Sequence, residues 1–258
     1  MKRLISILVA LSAWGIAIGQ PSVRIAHGPY LQQVTDDGFT VVWTTTINAA
    51  SWVEVAPDDG SHFYAAERPK SHIGKRRIGR LHRVRVEGLA PGTTYRYRIM
   101  QQGVLCDEGN KRVVLGEGYG SDILKHKPYT ATTLDEKKDQ TEFWVVNDIH
   151  AQDSIFRLLL EGAEKAKPDF VCFNGDMLTS MESEKQLFEG YLNSAAELLT
   201  PAGIPIFATR GNHENRGSFS PSFLDYFPTS TGEVYYTFRQ GPAYFVVLDC
   251  GEDKPDSD

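Results

Sequence analysis

Two hydrophobic rhythms divide this chain. From Val23 to about Asp135 the period is two. Phe39, Val41 and Trp43 alternate with Thr40, Val42 and Thr44; Val84 and Val86 with Arg83, Arg85 and Glu87; Tyr95, Tyr97 and Ile99 with Thr94, Arg96 and Arg98. Each run reads as a half-buried strand. Turn signals at Asp36-Asp37-Gly38, Pro57-Asp58-Asp59-Gly60 and Pro91-Gly92 separate them. Short strands at regular intervals, with no helical stretch between, predict an all-β sandwich of about 100 residues.

After Thr141 the rhythm changes. Phe143-Trp144-Val145-Val146 is a continuous apolar run, expected to be a strand buried on both faces. Ile155, Leu159, Ala163 and Ala166 then recur at helical spacing, with Asp153 or Ser154 as cap and Pro168 as terminator. Phe170-Val171-Cys172-Phe173 is a second buried strand. Leu187, Tyr191, Ala195 and Leu198 mark a second helix, ended by Pro201 and Gly203, and residues 204–208 form a third strand. The order β-α-β-α-β predicts a parallel sheet with right-handed crossovers. The charged stretch up to Gln140 is the expected linker.

Three polar clusters follow those strands: Asp148-Ile149-His150, Gly175-Asp176 and Gly211-Asn212-His213-Glu214. In open α/β sheets ligands gather outside the carboxyl ends of the strands, so the clusters are expected to converge. Asp148 and His150 offer a carboxylate and an imidazole to one ion, Asp176 a second carboxylate suited to bridging, and Asn212 a neutral amide oxygen. Mixed oxygen and nitrogen donors suit Mn, Fe or Zn better than Ca. Two such ions about 3.5–4 Å apart can clamp both oxygens of an in-line displacement at phosphorus. Taken singly, Asp-x-His is more often a turn or a cap and Gly-Asn-His-Glu an ordinary turn. The ordered conjunction after successive strands reverses those odds.

That conjunction resembles the calcineurin-like metallophosphoesterases. The resemblance extends over Glu233-Val234-Tyr235-Tyr236-Thr237-Phe238 and Tyr244-Phe245-Val246-Val247-Leu248-Asp249, similar to a pair of strands that follows the third motif. It implies that Asp148 and His150 hold a first metal, Asp176 bridges, Asn212 holds a second, and His213 is catalytic, facing the substrate. The implied activity is hydrolysis of a phosphomonoester or diester by a dinuclear site of Fe, Mn or Zn through a metal-bridging hydroxide. Gly88-Leu89-Ala90-Pro91-Gly92-Thr93-Thr94-Tyr95 and Gly28-Pro29-Tyr30-Leu31-Gln32 resemble the fibronectin type III-like N-terminal domain of purple acid phosphatases. Tyr95 is then a corner tyrosine tied back to the backbone.

Two positions depart from the purple enzymes. Thr179 stands where they carry the colour-giving tyrosine, and His150 where they have glycine, so the resemblance implies a colourless centre. The family also draws further histidines from later motifs, whereas none of the seven histidines here follows His213. The expectation is therefore an N-terminal part of a longer enzyme: an all-β sandwich (residues 20–135) followed by an incomplete α/β metallophosphoesterase domain (residues 141–258). Weak metal binding and an uncovered sheet face go with that expectation. A non-catalytic exported binding module on a degenerate phosphoesterase scaffold is the alternative.

Composition adds limits. Lys2 and Arg3, an apolar stretch over residues 4–18 and Ala17-Ile18-Gly19 form a signal-peptide pattern over residues 1–19, predicting export to the periplasm or beyond the cell, with no stable membrane span after cleavage. Without Lys2 and Arg3 the chain counts 25 basic and 33 acidic residues, which disfavours nucleic acid as the main partner. The partner implied is a phosphoester substrate; no protein partner is marked. Cys106, Cys172 and Cys250 read as small core residues rather than a disulfide framework. Lys75, Arg76, Arg77, Arg80, His82, Arg83 and Arg85 read as a loop and the outward, solvated face of a strand. Gly116-Glu117-Gly118-Tyr119-Gly120 reads as a flexible loop.

Overall fold

The computed structural model describes residues 21–65, 69–74, 78–249 and 251; the predicted leader, residues 75–77 and Cys250 lie outside the described residues. The alternating half forms β1 (Ile25–Gln32), β2 (Phe39–Pro57), β3 (Lys70–Ile73), β4 (Gly79–Val86), β5 (Thr94–Asp107), β6 (Val113–Gly120) and β7 (Tyr129–Thr132), joined in one antiparallel hydrogen-bonded sheet. Its long second strand makes it fold over. Residues 39–44 of β2 pair with β1 and β4, residues 49–57 pair with β5, and the register breaks between Thr44 and Ala49. Phe39, Val41 and Trp43 from one part meet Val53 and Val55 from the other in a single core, together with Val84, Val86, Tyr97 and Ile99. The tie expected at Tyr95 is present: the Ala90 N–H donates to its hydroxyl at 2.9 Å.

Two readings of this half are corrected. Residues 116–120 are strand, within β6, because its glycines lie under long side chains of β5. A Cβ on Gly116 would come within 3.1 Å of the Leu105 side chain, and one on Gly120 would collide with Met100 and Arg98. His82 is not on the outward face. It shares the inward face of β4 with Val84 and Val86, only 1 % exposed, with its ring nitrogens 2.9 Å from Thr45 Oγ1 and 2.8 Å from Ser51 Oγ. The arginines beside it are ties rather than a solvated face. Arg83 reaches Asp225 at 2.9 Å and the Leu224 carbonyl at 3.2 Å, and Arg85 donates to the Gln33 carbonyl at 2.5 Å.

The second half follows the predicted order: β8 (Phe143–Val146), α1 (Asp153–Leu160), α2 (Ala163–Ala166), β9 (Phe170–Asn174), α3 (Glu184–Leu187) and α4 (Asn193–Leu199) around a π turn at Phe188–Leu192, then β10 (Ile206–Thr209), α5 (Phe223–Tyr226), and the hairpin β11 (Tyr236–Gln240) and β12 (Ala243–Val247). β8, β9 and β10 are parallel neighbours in the order β10-β9-β8. β8 differs from expectation in exposing one face, with Val145 52 % accessible. The hairpin stacks Phe238 on Phe207 and Phe245 near Phe170, and so covers β9 and β10 better than the β8 edge. The first helix also breaks, at Gly162 with φ 89°, and buries Phe156, Leu160 and Ala163 while Ile155, Leu158 and Leu159 stay exposed. The predicted stripe was therefore rotated by about one residue, 100° around a helix. The second helix buries Leu187, Tyr191 and Ala195 as expected, leaving Leu198 partly covered.

The two halves share their cores. Tyr30 and Val42 from the first sheet enter the α/β cluster, and Phe170, Phe207, Tyr236 and Phe238 enter the sandwich cluster. The Tyr30 hydroxyl donates to the Tyr226 carbonyl at 2.9 Å, and Thr200 Oγ1 to the Pro29 carbonyl at 2.6 Å. Among the described residues Cys106 and Cys172 are free thiols, and burial pushes the Cys172 thiol up to about 12. No helix among them is long and apolar enough to cross a membrane.

Burial pulls the His82 pKa from 6.5 down to about 4. Between those values the unfolded chain binds a proton that the folded one refuses, so stability falls as pH falls through that window and is flat above it for this group. The loss amounts to at most about 3 kcal/mol. Urea unfolding at pH 7.5 and 4.5 measures it: His82→Gln should lose clearly less stability between the two than the native chain.

Candidate metal centre

The three parallel strands end side by side, and their following loops are laced together by backbone. The Asp148 N–H donates to the Gly175 carbonyl, the His150 N–H to the Asp176 carbonyl and the Ala151 N–H to the Met177 carbonyl, at 3.2, 3.2 and 2.9 Å. Holding that path requires left-handed backbone at Asp148 (φ 55°), His150 (φ 48°), Ala151 (φ 60°) and Asp176 (φ 55°). Each such residue costs on the order of 1 kcal/mol. Ile149, 3 % exposed, plugs the loop into the core, so Asp148 and His150 on either side of it turn outward.

Glu214 binds the remaining loops. Its buried carboxylate accepts from the backbone N–H groups of Asp176 (2.9 Å), Met177 (2.8 Å), Leu178 (3.2 Å) and Gly211 (2.9 Å). The loops touch so closely that only glycine fits: a Cβ on Gly211 would lie 2.1 Å from Asp176 Oδ1, and one on Gly175 2.8 Å from the Gly211 Cα. Gly190, in the π turn, lets the second helix press on the same loops; a Cβ there would meet Leu178 at 2.9 Å and Ala151 at 3.2 Å.

This scaffold gathers donors. One ligand atom each from His150, Asp176 and His213 lies within 4.8 Å of the others. His213 Nε2 is 4.0 Å from Asp176 Oδ2, and the His150 and His213 rings meet edge-on at 4.6 Å between centroids. Asp148 stands at the rim, 61 % exposed, with Oδ1 3.7 Å from His150 Nε2 and a hydrogen bond from Asn147. Asn212 opens the 3-10 turn His213–Asn215. The structure thus brings Asp148, His150, Asp176 and His213 to one edge and sets Asn212 beside them in sequence. Within this group His150 and Asp176 offer an imidazole and a carboxylate, donors that fit a borderline divalent cation.

His213 is further constrained. The Thr179 carbonyl lies 2.8 Å from Nδ1 and can only accept, which puts the hydrogen on Nδ1 and turns Nε2 toward the cluster. A guanidinium nitrogen of Arg216 sits 3.1 Å from Nδ1 and 3.3 Å from Nε2. Similar distances to both ring nitrogens place it over the ring face. Behind the site, Arg210 grips Asp249 through two bonds of 2.8 and 2.7 Å and holds its carboxyl below the usual range. The sequence pattern assigns none of these roles to Glu214 or Thr179, and Arg216 and Arg210 lie outside its motifs. Only Glu214 carried a signal, as the fourth residue of an already suspicious quadruplet.

Removing the Glu214 carboxylate leaves four inward N–H groups without their acceptor. Glu214→Ala should lower unfolding free energy by on the order of 3 kcal/mol or more, and Glu214→Gln by less because one acceptor oxygen survives. Denaturant titrations of both variants check the ranking.

Comparison with known proteins agrees with this architecture. Residues 28–113 match the family model described as purple acid phosphatase, N-terminal domain, and residues 141–251 that of calcineurin-like phosphoesterase. Among solved structures, the purple acid phosphatase PPD1 from yellow lupin (Lupinus luteus) seeds superposes with a TM-score of 0.58 at 14% identity, over 84% of this chain and 43% of that one. PhoD superposes with a TM-score of 0.51 at 16% identity, over 86% of this chain and 51% of that one. The chain thus spans about half the length of these two structures or less. No curated protein sequence matches it. The chain carries a purple acid phosphatase N-terminal domain followed by a domain of the calcineurin-like phosphoesterase family.

Proposed function

We propose that this protein is an exported, metal-dependent phosphoester hydrolase whose dinuclear centre is built on Asp148, His150, Asp176 and Asn212, with His213 facing the substrate. The carrying observation is the convergence of His150, Asp176 and His213 within 4.8 Å at the carboxyl edge of the parallel sheet. The family match over residues 141–251 supports the reaction class, and the leader pattern of residues 1–19 supports export. In this reading the sandwich runs to about residue 135 and the hydrolase domain starts at about residue 141.

Bound Fe, Mn or Zn ions supply Lewis acidity toward phosphoryl oxygens and an activated water for in-line attack. The protein's own groups do the rest. Asp176 lies between the loops of β8 and β10, where one carboxylate can serve two ions, and its Oδ1 is fixed by the His213 N–H at 3.1 Å. His213 is assigned to the substrate rather than to a metal because of Arg216. A guanidinium cation 3.1–3.3 Å from the ring nitrogens opposes a second cation there but favours a phosphate oxygen. With Nδ1 donating to the Thr179 carbonyl, Nε2 is the atom turned toward the phosphoryl or leaving-group oxygen.

Metal content and release of p-nitrophenol from its phosphate ester test the assignment on the purified protein. Asp176→Asn should lose bound metal and reduce turnover by about 100-fold or more, whereas His213→Ala should keep its metal and lose turnover by about 100-fold. Native turnover in Asp176→Asn sinks the bridging role. Loss of metal in His213→Ala transfers that histidine to the ligand set.

A further inference from the structure

Arg216 closes the 3-10 turn that begins at His213, and main chain pins it on both sides. Its N–H donates to the His213 carbonyl at 3.1 Å, and its own carbonyl accepts from the Met181 N–H at 2.8 Å. The residue thus joins the loop after β10 to the loop after β9. Gly217 follows with φ 91° and packs so closely on Met181 that a Cβ would lie 2.4 Å from the Met181 carbonyl oxygen. The backbone cannot slide at this point. The side chain of Arg216 therefore starts from a fixed place beside the cluster of His150, Asp176 and His213, and lies over the His213 ring.

A guanidinium in that place has a definite chemistry. It keeps its positive charge at any working pH, and its planar fork of N–H donors matches the oxygens of a phosphoryl group. One of its nitrogens is 3.1 Å from His213 Nδ1 and 3.3 Å from Nε2, above the ring face. An oxygen seated in the ring plane one hydrogen-bond length from Nε2 lies roughly 4–5 Å from that nitrogen, taking the two directions as perpendicular. Rotation about the last side-chain torsions closes such a gap, so one phosphoryl oxygen can meet both residues.

We infer that Arg216 is a substrate-binding residue that makes this site prefer phosphomonoesters to phosphodiesters, an inference that rests on the hydrolase reading above. In an in-line displacement the entering and leaving oxygens are apical and three substituents are equatorial. In a monoester all three are non-bridging oxygens, which share about two negative charges near neutral pH. In a diester one of the three is an ester group, and the charge is about one. A diester therefore either turns that group toward Arg216 or gives up an oxygen on the side of His150 and Asp176. In the first case the guanidinium is shielded from water without gaining an acceptor, which is costly. A monoester satisfies both sides at once, and its third oxygen makes a charge-assisted bond to Arg216.

Inorganic phosphate and dimethyl phosphate, which differ in the third oxygen, are the binding probes, titrated calorimetrically into the purified protein with its metals bound. Arg216→Ala should keep its metal content, weaken phosphate binding by about 30-fold and weaken dimethyl phosphate binding by no more than about threefold. Arg216→Lys keeps the charge without the fork and should fall between the native protein and Arg216→Ala. Turnover of p-nitrophenyl phosphate and of bis(p-nitrophenyl) phosphate should follow the same ranking, with the loss in Arg216→Ala at least about tenfold larger for the monoester. Equal losses for the two probes, or phosphate binding unchanged in Arg216→Ala, overturn the inference. If Arg216→Ala does not fold, Arg216→Lys decides alone, and a native preference for phosphate in that variant overturns it equally. A native protein that hydrolyses neither ester overturns the hydrolase reading instead, while the two titrations still decide the role of Arg216.

Discussion

Four backbone N–H groups converging on the Glu214 carboxylate hold this structure's functional edge together. The residues that point outward sit on backbone of the wrong hand for most side chains, and left-handed turns relax unless something over-determines them. Glu214 does so from within the core, where its hydrogen bonds are shielded from water and are correspondingly strong. The β8 loop is fastened to the β9 loop by main chain, and the β9 loop to the β10 loop by this side chain together with the bonds of His213 to Asp176 and Thr179. Three segments that are far apart in sequence thereby behave as a single rigid rim.

The division of labour between the halves follows from the same edge. The parallel strands need cover on both faces. The helices supply one side, and on the other the hairpin is assisted by the first sheet, whose Leu31, Val34 and Phe39 share a cluster with Phe170 and Phe207. The N-terminal sheet is thus part of what keeps β9 and β10 dry, and its arginines reach the far side through Asp225 and Glu184. Domain packing and site geometry are coupled through β10, which touches the interface along its length and the candidate metal centre at its end.

Most of this organisation was legible in the sequence, for a physical reason in each case. Period-two runs and the strand–helix alternation register directly which faces are buried, so the two architectures and the parallel order could be read. The polar clusters could be read because they sit at strand ends, where side chains must converge. What escaped depended on partners distant in sequence. His82 looked like a member of a basic loop-and-strand cluster because its hydroxyl partners, Thr45 and Ser51, lie on another strand. The helix at residues 153–160 has apolar residues on most of its circumference, so its own pattern cannot say which stripe faces the sheet. Residues 116–120 look like a loop because glycine carries no periodicity, yet the side chains of β5 needed the space. Arg216 is one arginine among many until the ring of His213 is placed beneath it.

The contact between Gly175 and Gly211 sets where change can occur. With no room for even one carbon, neither position can accept a side chain without moving the other loop, and movement there displaces Asp176. Variation in this chain's chemistry is therefore confined to the periphery of that contact: the exposed rim around Asp148, the loop that carries Thr179, and the turn that carries Arg216. The interior of the site acts as a fixed die, and new substrate preferences would be cut only into its border.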